Sequence, residues 1–104
     1  MKIVNVVMAG VMLVGTGAAV AGPVEDAMDK AGCMACHAKD RKLVGPAFKD
    51  IAAKYKGQDV VATLTAKVRK GGAGSFGPVP MAPTGADKIS DADLKAAVES
   101  ILKT

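Results

Sequence analysis

The residues able to do chemistry are concentrated in one pentapeptide, Cys33-Met34-Ala35-Cys36-His37. Two thiols with two residues between them, followed at once by an imidazole, form the C-x-x-C-H pattern of c-type haem attachment. The spacing has a physical reason. One turn of chain lets both thiols reach the two vinyl groups on one edge of a porphyrin, and the next residue then lies beneath the iron. Neutral imidazole is a good iron ligand. Other chemistry for the same residues is weaker. A disulfide between Cys33 and Cys36 would close a very small loop and stabilise little in the chain-entropy picture. A thioredoxin-like pair belongs after a strand in an alternating strand–helix pattern, and the sequence shows none. Zinc needs about four ligands, whereas two cysteines and the single histidine stand here in one cluster.

Because His37 is the sole histidine, a second axial ligand must be another residue type or be absent. Methionine is the natural candidate. Met1, Met8 and Met12 lie in the apolar leading segment, Met28 has core spacing with Val24, and Met34 is inside the attachment turn. Met81 remains. It sits between Pro80 and Pro83 in the stretch Gly71 to Gly85, which also holds Gly72, Gly74, Gly77 and Pro78. That density of breakers excludes a regular helix or central strand, and a loop this long in a small domain is usually functional or disordered. Its length suits a strap that travels around a haem edge to the opposite face, with prolines to stiffen it. Taken alone, Met81 reads equally as a loop methionine touching the core; beside the pentapeptide it is the expected sixth ligand. His/Met ligation raises the reduction potential and leaves no open position on the iron. The expectation is therefore an electron carrier and not an enzyme. Two other classes compete: a haem enzyme or ligand sensor whose methionine dissociates, and a thiol redox protein without haem.

The elements that must position these residues read as helices. Val24 to about Ala31 forms the first, with Pro23 in its first turn, Glu25 and Asp26 near the positive end of its dipole, and Gly32 as its stop. Pro46 opens the second, with Phe48, Ile51, Ala52 and Tyr55 on one face and Gly57 at its end. Asp59 is placed to cap a third running to about Lys70, facing inward with Val61, Leu64, Thr65 and Val68 and closed by Gly71-Gly72. Ser90 caps the last, with Asp93 three residues on and an apolar stripe of Leu94, Ala97, Val98 and Ile101. The fold class expected is all-α.

The chain of 104 residues suits one domain. Met1-Lys2, the apolar run from Ile3 to about Val20 and the small residues Ala19-Val20-Ala21 describe a secretory signal peptide cleaved after Ala21; the competing reading, an uncleaved membrane anchor, suits the length but not the Gly- and Ala-rich run with its cleavage site. Residues 22–104 would then be the mature domain, outside the cytoplasm and without membrane insertion after cleavage. The net charge of +4 includes Lys2. Two ionised haem propionates would bring the mature protein near +1. Positive charge clusters at Lys30, Lys39, Arg41, Lys42, Lys49, Lys54 and Lys56, against Asp40 and Asp50. Such a face steers an acidic partner or simply keeps the domain soluble. Nucleic acid is excluded as a partner, since the basic residues are not interleaved with aromatics, of which the chain has only Phe48, Tyr55 and Phe76. An aromatic content of 3% also leaves a small core short of bulk, which a haem would supply.

Gly32-Cys-Met-Ala-Cys-His-Ala38, Val44-Gly-Pro-Ala-Phe-Lys-Asp50, Ala52-Ala-Lys-Tyr-Lys-Gly-Gln58 and Gly77-Pro-Val-Pro-Met-Ala-Pro83 resemble the small bacterial class I cytochromes c of the c-551/c-552 group. The resemblance covers essentially all of 22–104. It implies four to five short helices around one covalent haem c, and His37 and Met81 as iron ligands. It implies a backbone carbonyl from Pro46 to the far nitrogen of His37, and a crossing of first and last helices near Ala27, Gly32 and Leu94. It places Lys67, with Arg69 nearby, where relatives use an arginine on a haem propionate. Phe76 stands where many carry a tryptophan that donates to a propionate, and Thr84 where some carry an asparagine. The group implies a monomeric periplasmic carrier. Its donor would be a quinol-oxidising complex, and its acceptor a nitrite reductase, terminal oxidase or peroxidase.

Overall fold

A computed structural model describes residues 22–104, together with Gly10. The expected signal segment and its cleavage after Ala21 lie outside the described residues. The domain is built from four helices: α1 (Pro23–Ala31), α2 (Phe48–Lys54), α3 (Val61–Lys70) and α4 (Asp91–Leu102). A single 3-10 turn, Cys33–Ala35, follows α1. Among the described residues there is no strand, only one isolated antiparallel bridge between Gly72 and Met81. None of the described helices is long and apolar enough to cross a membrane.

Each helix has a local cause. Pro23 occupies the first turn of α1, where its missing N–H costs nothing. Gly32 ends α1 in the left-handed conformation, φ 84°, which only glycine adopts without cost. Ser90 caps α4: its hydroxyl accepts from the Asp93 N–H at 3.1 Å. Three ends differ from the sequence reading: α2 stops at Lys54 with Tyr55 as its cap, short of Gly57, and two helix starts are shifted. Pro46 lies outside α2, which starts at Phe48 after an extended Ala47; the carbonyl of Pro46 is turned to a side chain instead, as described below. Asp59 does not cap α3. Val60 holds that position, and no side chain closes the end, because the first helical hydrogen bond runs from Leu64 N–H to Val60.

Packing is centred on α4. The helices α1, α2 and α3 each pack against α4 and not against one another. Met28, Phe48, Ile89, Leu94, Ala97 and Val98 form the buried core. Met28 is thus a packing residue, 5% exposed. On α3, Val61, Leu64 and Val68 are only partly buried against this core, and no residue of that helix is fully buried. The apolar face of α3 is directed at a cleft bounded by α1, α2 and the long loop between α3 and α4.

Since Ser90 supplies the only side-chain cap of a helix among the described residues, Ser90→Ala should cost about 1 kcal/mol. Denaturant unfolding followed by far-UV circular dichroism measures this, and an unchanged midpoint would show that the cap is not needed.

Candidate haem site

The C-x-x-C-H residues are set by how α1 ends. After Gly32 the chain tightens into the 3-10 turn, and the N–H groups of Cys36 and His37 both donate to the Cys33 carbonyl, at 3.2 and 3.0 Å. The segment entering α2 is then laced to this turn. Gly45 N–H donates to Cys36 at 2.7 Å, Phe48 to Ala38 at 2.9 Å, and Lys49 to Lys39 at 3.0 Å.

This lacing aims His37. Its Nδ1 lies 2.8 Å from the carbonyl oxygen of Pro46. A carbonyl only accepts, so Nδ1 carries the proton and donates. In the neutral ring that leaves the Nε2 lone pair for a metal. Phe48 backs the imidazole, with ring centroids 5.3 Å apart and planes 24° from parallel. Gly45 crosses so close that a Cβ there would meet three ring atoms at 2.5–3.1 Å. His37 is consequently 8% exposed, the one buried polar side chain among the described residues.

Cys33 and Cys36 are free thiols, the first half-buried and the second exposed. Burial pushes the Cys33 thiol above its ordinary range, so near neutral pH it is protonated.

The long loop forms a strap. Gly72 and Met81 exchange both backbone hydrogen bonds, each 2.9 Å. Gly74 N–H closes a turn on Gly77 at 2.9 Å, and Thr84 N–H returns to Val68 of α3 at 3.0 Å. Lys54 reaches over from the end of α2. Its ammonium donates to the Ser75 carbonyl and stands 4.4 Å from the centroid of the Phe76 ring, a cation–π distance.

Between these parts lies a cleft of about 580 Å³, within the range of small-molecule and cofactor sites. Every residue expected at the site lines it: Cys33, Cys36, His37, Pro46, Lys67, Phe76 and Met81. Thr84 lines it too. Arg69 does not. Its guanidinium is bonded to Thr84, Ile89 and Asp91 instead. The structural use of Arg69 and Lys54 escaped the sequence reading, because their partners are backbone carbonyls far along the chain. A shallower depression of about 330 Å³ between α1 and residues 86–93 contains none of the motif residues. Among the described residues, no group of three or more His, Cys, Asp and Glu side chains could hold a bare metal ion. The donor set fits a haem: two thiols, one oriented imidazole and one thioether facing a mainly apolar cleft.

The comparisons agree. The cytochrome c family model matches residues 24–104. The chain is 53% identical over 76 residues to cytochrome c2 of Rubrivivax gelatinosus, covering 72% of this chain and 89% of that protein. It is 49% identical over 72 residues to cytochrome c-551 of Azotobacter vinelandii, covering 68% and 84% respectively. Among solved structures, wild-type cytochrome c552 of Nitrosomonas europaea superposes with a TM-score of 0.67 at 44% identity, covering 75% of this chain and 95% of that one. With four helices around a cleft that carries the attachment motif, the chain belongs to the cytochrome c family, as a small class I cytochrome c that carries electrons on one covalently attached c-type haem.

Proposed function

We propose that this chain is a periplasmic single-electron carrier whose haem iron is held between His37 and Met81. Residues 1–21 serve as a cleaved signal peptide, and 22–104 act as a monomeric carrier. The observation that carries the reading is that Cys33, Cys36 and His37 from the α1–α2 connection and Met81 from the α3–α4 connection line one cleft. The relatives named cytochrome c2, c-551 and c-552 support it.

Bound in this cleft, the haem supplies a one-electron iron couple. The chain's residues do the rest. Cys33 and Cys36 attach the group by thioethers. His37 is held in one tautomer and one orientation by Pro46. Met81 offers a neutral, weak donor, so its place has to come from the main chain, and the Gly72 pairing supplies it. Lys67 puts a positive charge in the cleft, suited to a propionate, while Phe76 packs there without a donor. Exposed Val44 and Val79, 57% and 56% accessible, line the cleft and give a partner apolar contact. Exposed Lys39, Arg41, Lys42 and Lys49 favour an acidic partner. The partners proposed are a quinol-oxidising complex as donor and a nitrite reductase, terminal oxidase or peroxidase as acceptor.

Met81→Ala should leave the haem attached, abolish the weak methionine-to-iron band at the red end of the oxidised spectrum, lower the potential, and admit carbon monoxide to the reduced protein. An unchanged potential and band would mean that Met81 is not a ligand. Native protein that bound carbon monoxide readily would favour a ligand-binding role. Cys33→Ala or Cys36→Ala should impair attachment, read by a pyridine haemochrome assay.

Gly45→Ala drives a methyl group into the His37 ring. Overpacking of this kind costs about 1–3 kcal/mol, so the holoprotein should melt earlier. An unchanged melt would show that the ring yields freely.

A further inference from the structure

The strap returns to the helical frame through residues 82–90, and one side chain meets it there. Arg69, near the C-terminal end of α3, has a side chain only 23% exposed. Its Nη1 donates to the Thr84 carbonyl at 3.2 Å. Its Nη2 donates to the Ile89 carbonyl at 2.8 Å and to Asp91 Oδ1 at 2.7 Å. Beside it, Thr84 N–H is bonded to Val68 at 3.0 Å. One guanidinium therefore joins α3, the exit of the strap and the first residue of α4.

The three bonds are unequal in kind. The Asp91 side chain is 94% exposed, so that ion pair is screened and weak. The other two acceptors are main-chain carbonyls, whose positions define the path of the strap. A guanidinium is planar, permanently charged and carries its donors in a fixed fork. It can hold two carbonyls of the strap's return at a set separation, which a single ammonium point cannot.

We propose that Arg69 is a positioning residue for the ligand strap. It acts through Thr84, three residues after Met81, and keeps the paired Gly72–Met81 segment seated against α3. This rests on the proposed His37/Met81 ligation for its redox consequence, though the hold on the backbone stands apart from it.

The test uses the full-length chain, matured with its haem, as wild type and as Arg69→Gln, Arg69→Lys and Asp91→Asn. Amide hydrogen exchange is read at Met81, Thr84 and, as a reference in α4, Leu94. The methionine-to-iron band and the far-UV helix signal are followed together on heating. In Arg69→Gln, exchange at Met81 and Thr84 should rise about tenfold, the ratio that one lost charge-assisted hydrogen bond gives, with Leu94 unchanged. The methionine band should fade below the temperature at which the helices melt, and the reduced protein should take up carbon monoxide. Arg69→Lys should fall between the two, and Asp91→Asn should match the wild type. If exchange at Leu94 rises as much, and band and helices vanish together, Arg69 is a general structural residue and the proposal fails. Loosening of the strap in Asp91→Asn to the same degree would also overturn it. If the wild type lacks the band altogether, the ligation reading fails, while exchange at residues 81 and 84 still decides whether Arg69 holds the strap.

Discussion

Everything at this site depends on the orientation of one imidazole. A histidine side chain has two free torsions and two chemically different nitrogens, and only one pose offers Nε2 to the cleft. The pose is set by the 2.8 Å bond from Nδ1 to Pro46, by the stacked ring of Phe48 and by the close backbone of Gly45. These three lie within four residues of one another, and the stretch is fastened to the attachment segment by Gly45 N–H to Cys36 and Phe48 N–H to Ala38. The same constraint explains the late start of α2. Were Pro46 and Ala47 helical, the Pro46 carbonyl would point along the helix axis rather than at the ring.

The architecture is a hub with three spokes. Because α1, α2 and α3 each pack against α4 and not against one another, their other apolar surfaces are free to face the cleft. The sides of Leu64 and Val68 that α4 does not cover look there. A chain with so few aromatic residues buries modest surface by helix contacts alone, and small domains generally need a covalent or metal staple. In a cytochrome c the covalent haem is such a staple. The group that carries the electron then also completes the core.

Much of this was legible in the sequence, for identifiable reasons. The attachment motif is local, and its chemistry is fixed by spacing. The extent of α1, the Ser90 cap and the breaker-rich loop follow from short-range rules for proline, glycine and hydroxyl side chains. The His37–Pro46 contact was reachable only through resemblance, because a carbonyl carries no residue signature. Asp59 misled for a related reason. A good capping residue close to a helix start caps only if the backbone places it at the boundary, and here Val60 took that place. The jobs of Lys54 and Arg69 were invisible. Both serve backbone carbonyls about twenty residues away, 21 for Lys54 and Ser75 and 20 for Arg69 and Ile89, and no local pattern encodes such reach.

The bridge between Gly72 and Met81 has a consequence for how such a protein can change over generations. It fastens residue 81 by main-chain atoms, which every amino acid except proline can supply in full. The turn it encloses, residues 73–80, lines the cleft and carries Phe76 and Val79, both exposed, at its mouth. Substitutions inside that turn alter what is presented outward while the pairing at its base stays the same. A lineage can thereby vary the side chains shown at the cleft mouth, where a partner would dock, while the main-chain hold on residue 81 is retained.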